Sequence, residues 1–108
     1  MLDLRLYILQ RLTALIMAPL IVGHIATMIY AIQGGLTTAE ILARTQGSTL
    51  WFAFYGLFVL AVSIHAAIGL RTICHEWIGL RGAALSILSW VVFAGLLALG
   101  LRAVWAVT

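Results

Sequence analysis

His65 and His24 are imidazoles set inside long apolar runs, where an ionisable side chain is costly and by default marks function. Around His65 the spacing is informative. Gly69 follows one turn later on the same helical face, Ala61 stands one turn before, and Arg71 comes shortly after. A small residue beside an imidazole leaves room for a flat macrocycle to lie against the helix. Arg71 and Arg11 stand at the edges of apolar runs, where guanidiniums can pair with carboxylates. Haem asks for this set: an axial imidazole, an apolar wall and cations for two anionic propionates. Each residue also has a plainer use, since a membrane histidine can hydrogen-bond across helices and a glycine lets helices pack closely.

His24 requires separate treatment. At the helical rise, His24 lies about 20 Å from Arg11 and His65 about 9 Å from Arg71. If both arginines mark one interface, the histidines differ in depth by about 10 Å, too much for one iron to take both as axial ligands. Either His24 ligates a second haem nearer the opposite face, or it is a structural hydrogen-bonder. His75 lies at an interface and is a weaker candidate. It follows Cys74, but the C-x-x-C-H pattern of covalent haem attachment is absent, and a lone cysteine allows no internal disulfide.

The elements that must hold these residues follow from composition. Of 108 residues, 65% are hydrophobic and 8% charged, more apolar side chain than a soluble domain of this length can hide. Three runs are long enough to span a bilayer core, about residues 12–32, 50–70 and 83–101. The expected fold is all-α: one integral membrane domain over residues 1–108, with three transmembrane helices. Pro19 can kink the first. Between the first two spans, Gly34 and Gly35 stop a helix, and Thr37 or Thr38 caps a short interfacial helix with Glu40 and Arg44 on its wet side. "CHEWIGLRG" reads as an interfacial turn between the second and third.

The formal charge of +3 comes from scattered single arginines, which form no basic stripe for nucleic acid. Arg5, Arg11, Arg71 and Arg81 fall on one side of the membrane and Arg44 and Arg102 on the other, which puts the N-terminus in the cytoplasm. The first residues do not read as a cleaved signal peptide.

"HAAIGLRTICHE" resembles the second membrane helix of the cytochrome b anchor subunit of succinate dehydrogenases and fumarate reductases. That family has a histidine, a glycine four residues on, an aliphatic residue, an arginine and then an acid; here these are His65, Gly69, Leu70, Arg71 and Glu76. "LYILQRLTALI" is similar to the entry of the family's first helix, with Arg11 where an arginine lies near quinone and a haem propionate, and Thr13 where a small hydroxyl residue is usual. Thr72 stands where the family often has histidine, and Tyr7 where a quinone-contacting serine is common.

The resemblance implies a membrane anchor of a succinate:quinone oxidoreductase in a bacterial inner membrane. His65 would be an axial ligand of haem b, with His24 serving a second haem if there are two. Tyr7, Arg11 and Thr13 would line a quinone pocket. A flavoprotein subunit, an iron–sulfur subunit and either a second membrane subunit or a second copy of this chain would complete the complex. The chain itself has neither the cysteines for clusters nor a dinucleotide fingerprint, so it would carry electrons without oxidising succinate. Two other readings stay open: a haem-free scaffold in which both histidines bond across helices, and a cytochrome b subunit of another quinone-linked dehydrogenase.

Overall fold

Each long apolar run becomes one helix in the structure, a computed structural model that describes residues 2–108. The elements are α1 (Leu2–Gly34), α2 (Thr38–Thr45), α3 (Thr49–Ile73) and α4 (Gly82–Val107), and the described residues contain no strand. α1, α3 and α4 are each long and apolar enough to cross a membrane, and α2 is the short helix expected between the first two. The helices outrun the apolar spans at both ends: α1 has 33 residues and passes through Pro19 unbroken. The molecule is 48 Å long, so its ends reach past a hydrocarbon core of about 30 Å into the headgroup layers.

The connections are fixed by caps. Thr37 accepts a hydrogen bond from the Glu40 backbone N–H at 3.2 Å while its hydroxyl donates to the Glu40 carboxylate at 2.6 Å. Glu40 and Arg44 are half-buried, not simply turned to water. Arg44 reaches back to donate to the Gly35 carbonyl at 2.7 Å and lies over the Tyr30 ring, which closes the C-terminus of α1 with a cation. Gly35 has φ 116°, a left-handed conformation open to glycine. The Thr45 hydroxyl bonds the Val107 carbonyl, and the Gly47 N–H donates to the Thr108 carbonyl at 3.0 Å. The short helix is thereby tied to the far end of α4. Ser48 caps α3. At its other end α3 continues into a π-helical turn, Cys74–Ile78, closed by Gly79 at φ 78°. There the His75 Nδ1–H donates to the Leu80 carbonyl at 3.0 Å.

α3 is the central helix and packs against both α1 and α4. Its buried residues are Ala61, Ser63, Ala67 and Ile68; α4 adds Leu85 and Val104, and α1 adds Thr13 among the described residues. Gly100 of α4 allows close approach, because a Cβ there would lie 2.4 Å from the Val59 side chain. The up-down-up order groups Arg5, Arg11, Arg71 and Arg81 toward one end, and Arg44 and Arg102 toward the other.

Candidate functional site

α1 and α3 run antiparallel, which sets residues near the start of one opposite residues near the end of the other. Thr13 meets His65 in this way, Oγ1 to Nδ1 at 3.2 Å. Thr13 is 3% exposed and is the one buried residue of α1 among those described. His65 is half-buried, and among the described residues no hydrogen bond engages its Nε2. Gly69 continues the same face of α3, and a Cβ there would meet only the Gln10 amide, at 3.5 Å. Gln10 itself has a buried Oε1 with no hydrogen-bond partner among the described residues. The sequence reading passed over Gln10. Its signal was available: an amide three residues before Thr13, hence on the same helical face, in an otherwise apolar helix.

His24 enters the same seam farther along. Its ring meets Phe58 at 5.3 Å and Tyr55 at 6.1 Å between centroids, both edge-on, and its Nδ1 is buried with no partner. Phe58 precedes His65 by seven residues, a separation of about 10 Å along α3. The two histidines thus share a seam at different depths. Trp51 and Phe54 extend the aromatic cluster around Tyr55 toward the start of α3.

The other predicted residues lie elsewhere. Tyr7 and Arg11 are exposed, whereas Thr13 is turned inward. The two pair with each other: Arg11 Nη1 donates to the Tyr7 hydroxyl at 3.4 Å, and its guanidinium stands 5.6 Å from the ring centre. Arg71 turns to α4, where Nη1 donates to Ser89 Oγ at 3.3 Å while Ser89 donates to the Leu85 carbonyl. It lines a groove of about 410 Å³ with Leu6, Leu9, Ile68, Trp90 and Phe93, and neither His65 nor Gly69 borders it.

His65 and Gly69 are the residues of this seam that could hold a haem. His65 offers an unbonded nitrogen, Gly69 keeps the helix surface beside it low, and the unpartnered Gln10 amide oxygen and His24 nitrogen mark places where the protein alone leaves polar atoms unpaired. Among the described residues no cluster of three or more His, Cys, Asp or Glu could hold a bare metal ion. A family model for the succinate dehydrogenase/fumarate reductase transmembrane subunit matches residues 2–101. No curated protein and no solved structure matches the chain.

Proposed function

The chain belongs to the succinate dehydrogenase/fumarate reductase transmembrane subunit family, and on that premise we propose that it anchors such a complex in a bacterial inner membrane and ligates haem b through His65. The observation that carries this reading is the α1–α3 seam. There Thr13 occupies one nitrogen of His65, the other is unbonded, and Gly69 leaves space on the same face. When bound, haem b supplies a one-electron relay between an iron–sulfur subunit and quinone. His65 would hold the iron, Gly69 leaves space beside it on α3, and Arg11 at the same end of the bundle would be a donor for a propionate or a quinone carbonyl. A further ligand would come from a second membrane subunit or from a second copy of this chain.

Tyr7 and Arg11 form the proposed donor pair for the quinone headgroup, on the exposed face of α1 where a partner subunit can close over them. Thr13, expected from the resemblance to join them, borders the same region from inside the seam. The N-terminal end, with four of the six arginines, faces the cytoplasm, where the flavoprotein and iron–sulfur subunits dock.

His24 carries a second part of the reading. A purely structural histidine in this seam would bond across helices, yet its Nδ1 has no partner among the described residues. A second haem at its depth would extend electron transfer across the bilayer. Haem quantification decides it: two haems per complex, falling to one in His24→Ala, is the expected result. One haem, unchanged in that variant, reduces His24 to packing.

The test of the main reading is His65→Ala. The variant subunit should insert and assemble while the complex loses a b-type haem absorbance band. An unchanged haem spectrum would sink the assignment.

A further inference from the structure

Thr13 holds the key to which nitrogen of His65 is available. Its Oγ1 lies 2.9 Å from the Leu9 carbonyl oxygen, 3.0 Å from the Gln10 carbonyl oxygen and 3.2 Å from His65 Nδ1. A hydroxyl has one proton to give and two lone pairs to offer. If that proton pointed to His65, the hydroxyl would face two carbonyl oxygens at hydrogen-bond distance with lone pair against lone pair, in a site only 3% exposed, with little water to intervene. The proton therefore goes to the carbonyls, the usual back-bond of a threonine within a helix. Toward His65 the hydroxyl can only accept, so Nδ1 must carry the hydrogen. A neutral imidazole protonated at Nδ1 has its free lone pair on Nε2.

We propose that Thr13 is the positioning residue of His65: it fixes the ring angle and the Nδ1–H tautomer, and so aims the Nε2 lone pair at the axial position of the haem iron. The proposal rests on the haem reading for its purpose but on the protein's own hydrogen bonds for its content. An acceptor behind a ligating imidazole also raises the ligand's basicity. That favours the ferric state, so Thr13 holds the haem potential below the value it would have with an apolar neighbour. Valine at this position keeps the volume and removes the back-bond to the Leu9 and Gln10 carbonyls as well as the bond with His65. Serine keeps the hydroxyl and its back-bond.

The test has two arms. The first uses the full-length chain without haem, labelled with ¹⁵N-histidine in lipid bilayers, and reads the His65 tautomer by solid-state NMR. Wild type and Thr13→Ser should carry the hydrogen on Nδ1, and Thr13→Val should shift toward Nε2–H. A wild-type His65 protonated at Nε2, or a tautomer unmoved in Thr13→Val, overturns the proposal. The second arm measures the haem midpoint potential and low-spin electron paramagnetic resonance of the assembled complex. Thr13→Val should move the ferric–ferrous balance about three- to tenfold toward ferrous, a rise of up to about 59 mV for a one-electron couple, with Thr13→Ser restoring it. An identical potential and identical g-values in Thr13→Val contradict the proposal. A complex with no haem would overturn the haem reading alone, because the tautomer arm still decides for or against Thr13.

Discussion

The two seams of this bundle are built from different materials. Where α3 meets α4, Gly100 takes the Val59 side chain against its backbone, the buried Ser63 keeps its hydroxyl proton for the Val59 carbonyl, and Arg71 donates across to Ser89. Where α3 meets α1, the contact runs through a hydroxyl, two imidazoles and an amide, and α1 buries no apolar side chain among the described residues. In lipid, helices gain little from hiding apolar surface, because the solvent is as apolar as the core. A seam in lipid is held by close packing or by polar contacts. In the α3–α4 seam the polar side chains Ser63, Arg71 and Ser89 all have hydrogen-bond partners within the chain. The α1–α3 seam leaves Gln10 Oε1 and His24 Nδ1 buried with no hydrogen-bond partner among the described residues.

Substitutions can pull the two seams apart. Gly69→Leu has the largest expected effect, because a branched side chain fills the space beside His65 and crowds the Gln10 amide. Most of the b-type absorbance should be lost, read against protein content in the purified complex. Arg11→Leu separates the two faces of α1. Losing a charged donor to a quinone carbonyl should lower quinone reduction about tenfold or more. Succinate oxidation with a soluble acceptor should be unchanged, and equal loss of both activities would mean failed assembly.

Gly100→Ala attacks the closed seam. Its Cβ would lie 2.4 Å from Val59. Overpacking should cost about 1–3 kcal/mol, seen as a lower melting temperature of the complex, with Val59→Ala in the same chain restoring it. The haem spectrum per folded complex should not change. Thr45→Val removes the hydroxyl bonded to the Val107 and Ile41 carbonyls and leaves the Gly47–Thr108 bond, a loss of about 1 kcal/mol. It should lower the melting temperature slightly and leave both haem content and quinone reduction intact.

The spans were legible because runs of apolar residues this long have no other solvent, and the short helix was legible from Thr37 and the flanking glycines. That His65 and Gly69 share one face of α3 was legible by spacing alone. Which face of α1 meets α3 was much less so. α1 is apolar nearly all round, and a face toward lipid and a face toward protein draw on the same residues. Only its few polar side chains distinguish them, and of these Gln10 carries no charge or metal-binding group to attract notice. Arg71 and Arg44 illustrate the other limit. Each stood where a membrane-edge cation was expected, but their partners, Ser89 and the Gly35 carbonyl, depend on how helices sit together. The π-helical turn after Ile73 leaves no periodic signature, since it inserts a single wide turn into an otherwise ordinary helix end.

The claim that the α1–α3 seam is completed by a cofactor is tested most directly by a reduced-minus-oxidised absorbance spectrum of the purified wild-type complex beside His65→Ala. The expected result is a b-type haem band in the wild type that is lost in the variant at equal protein content. A wild-type complex with no haem band, or a band of equal height in both, would contradict it.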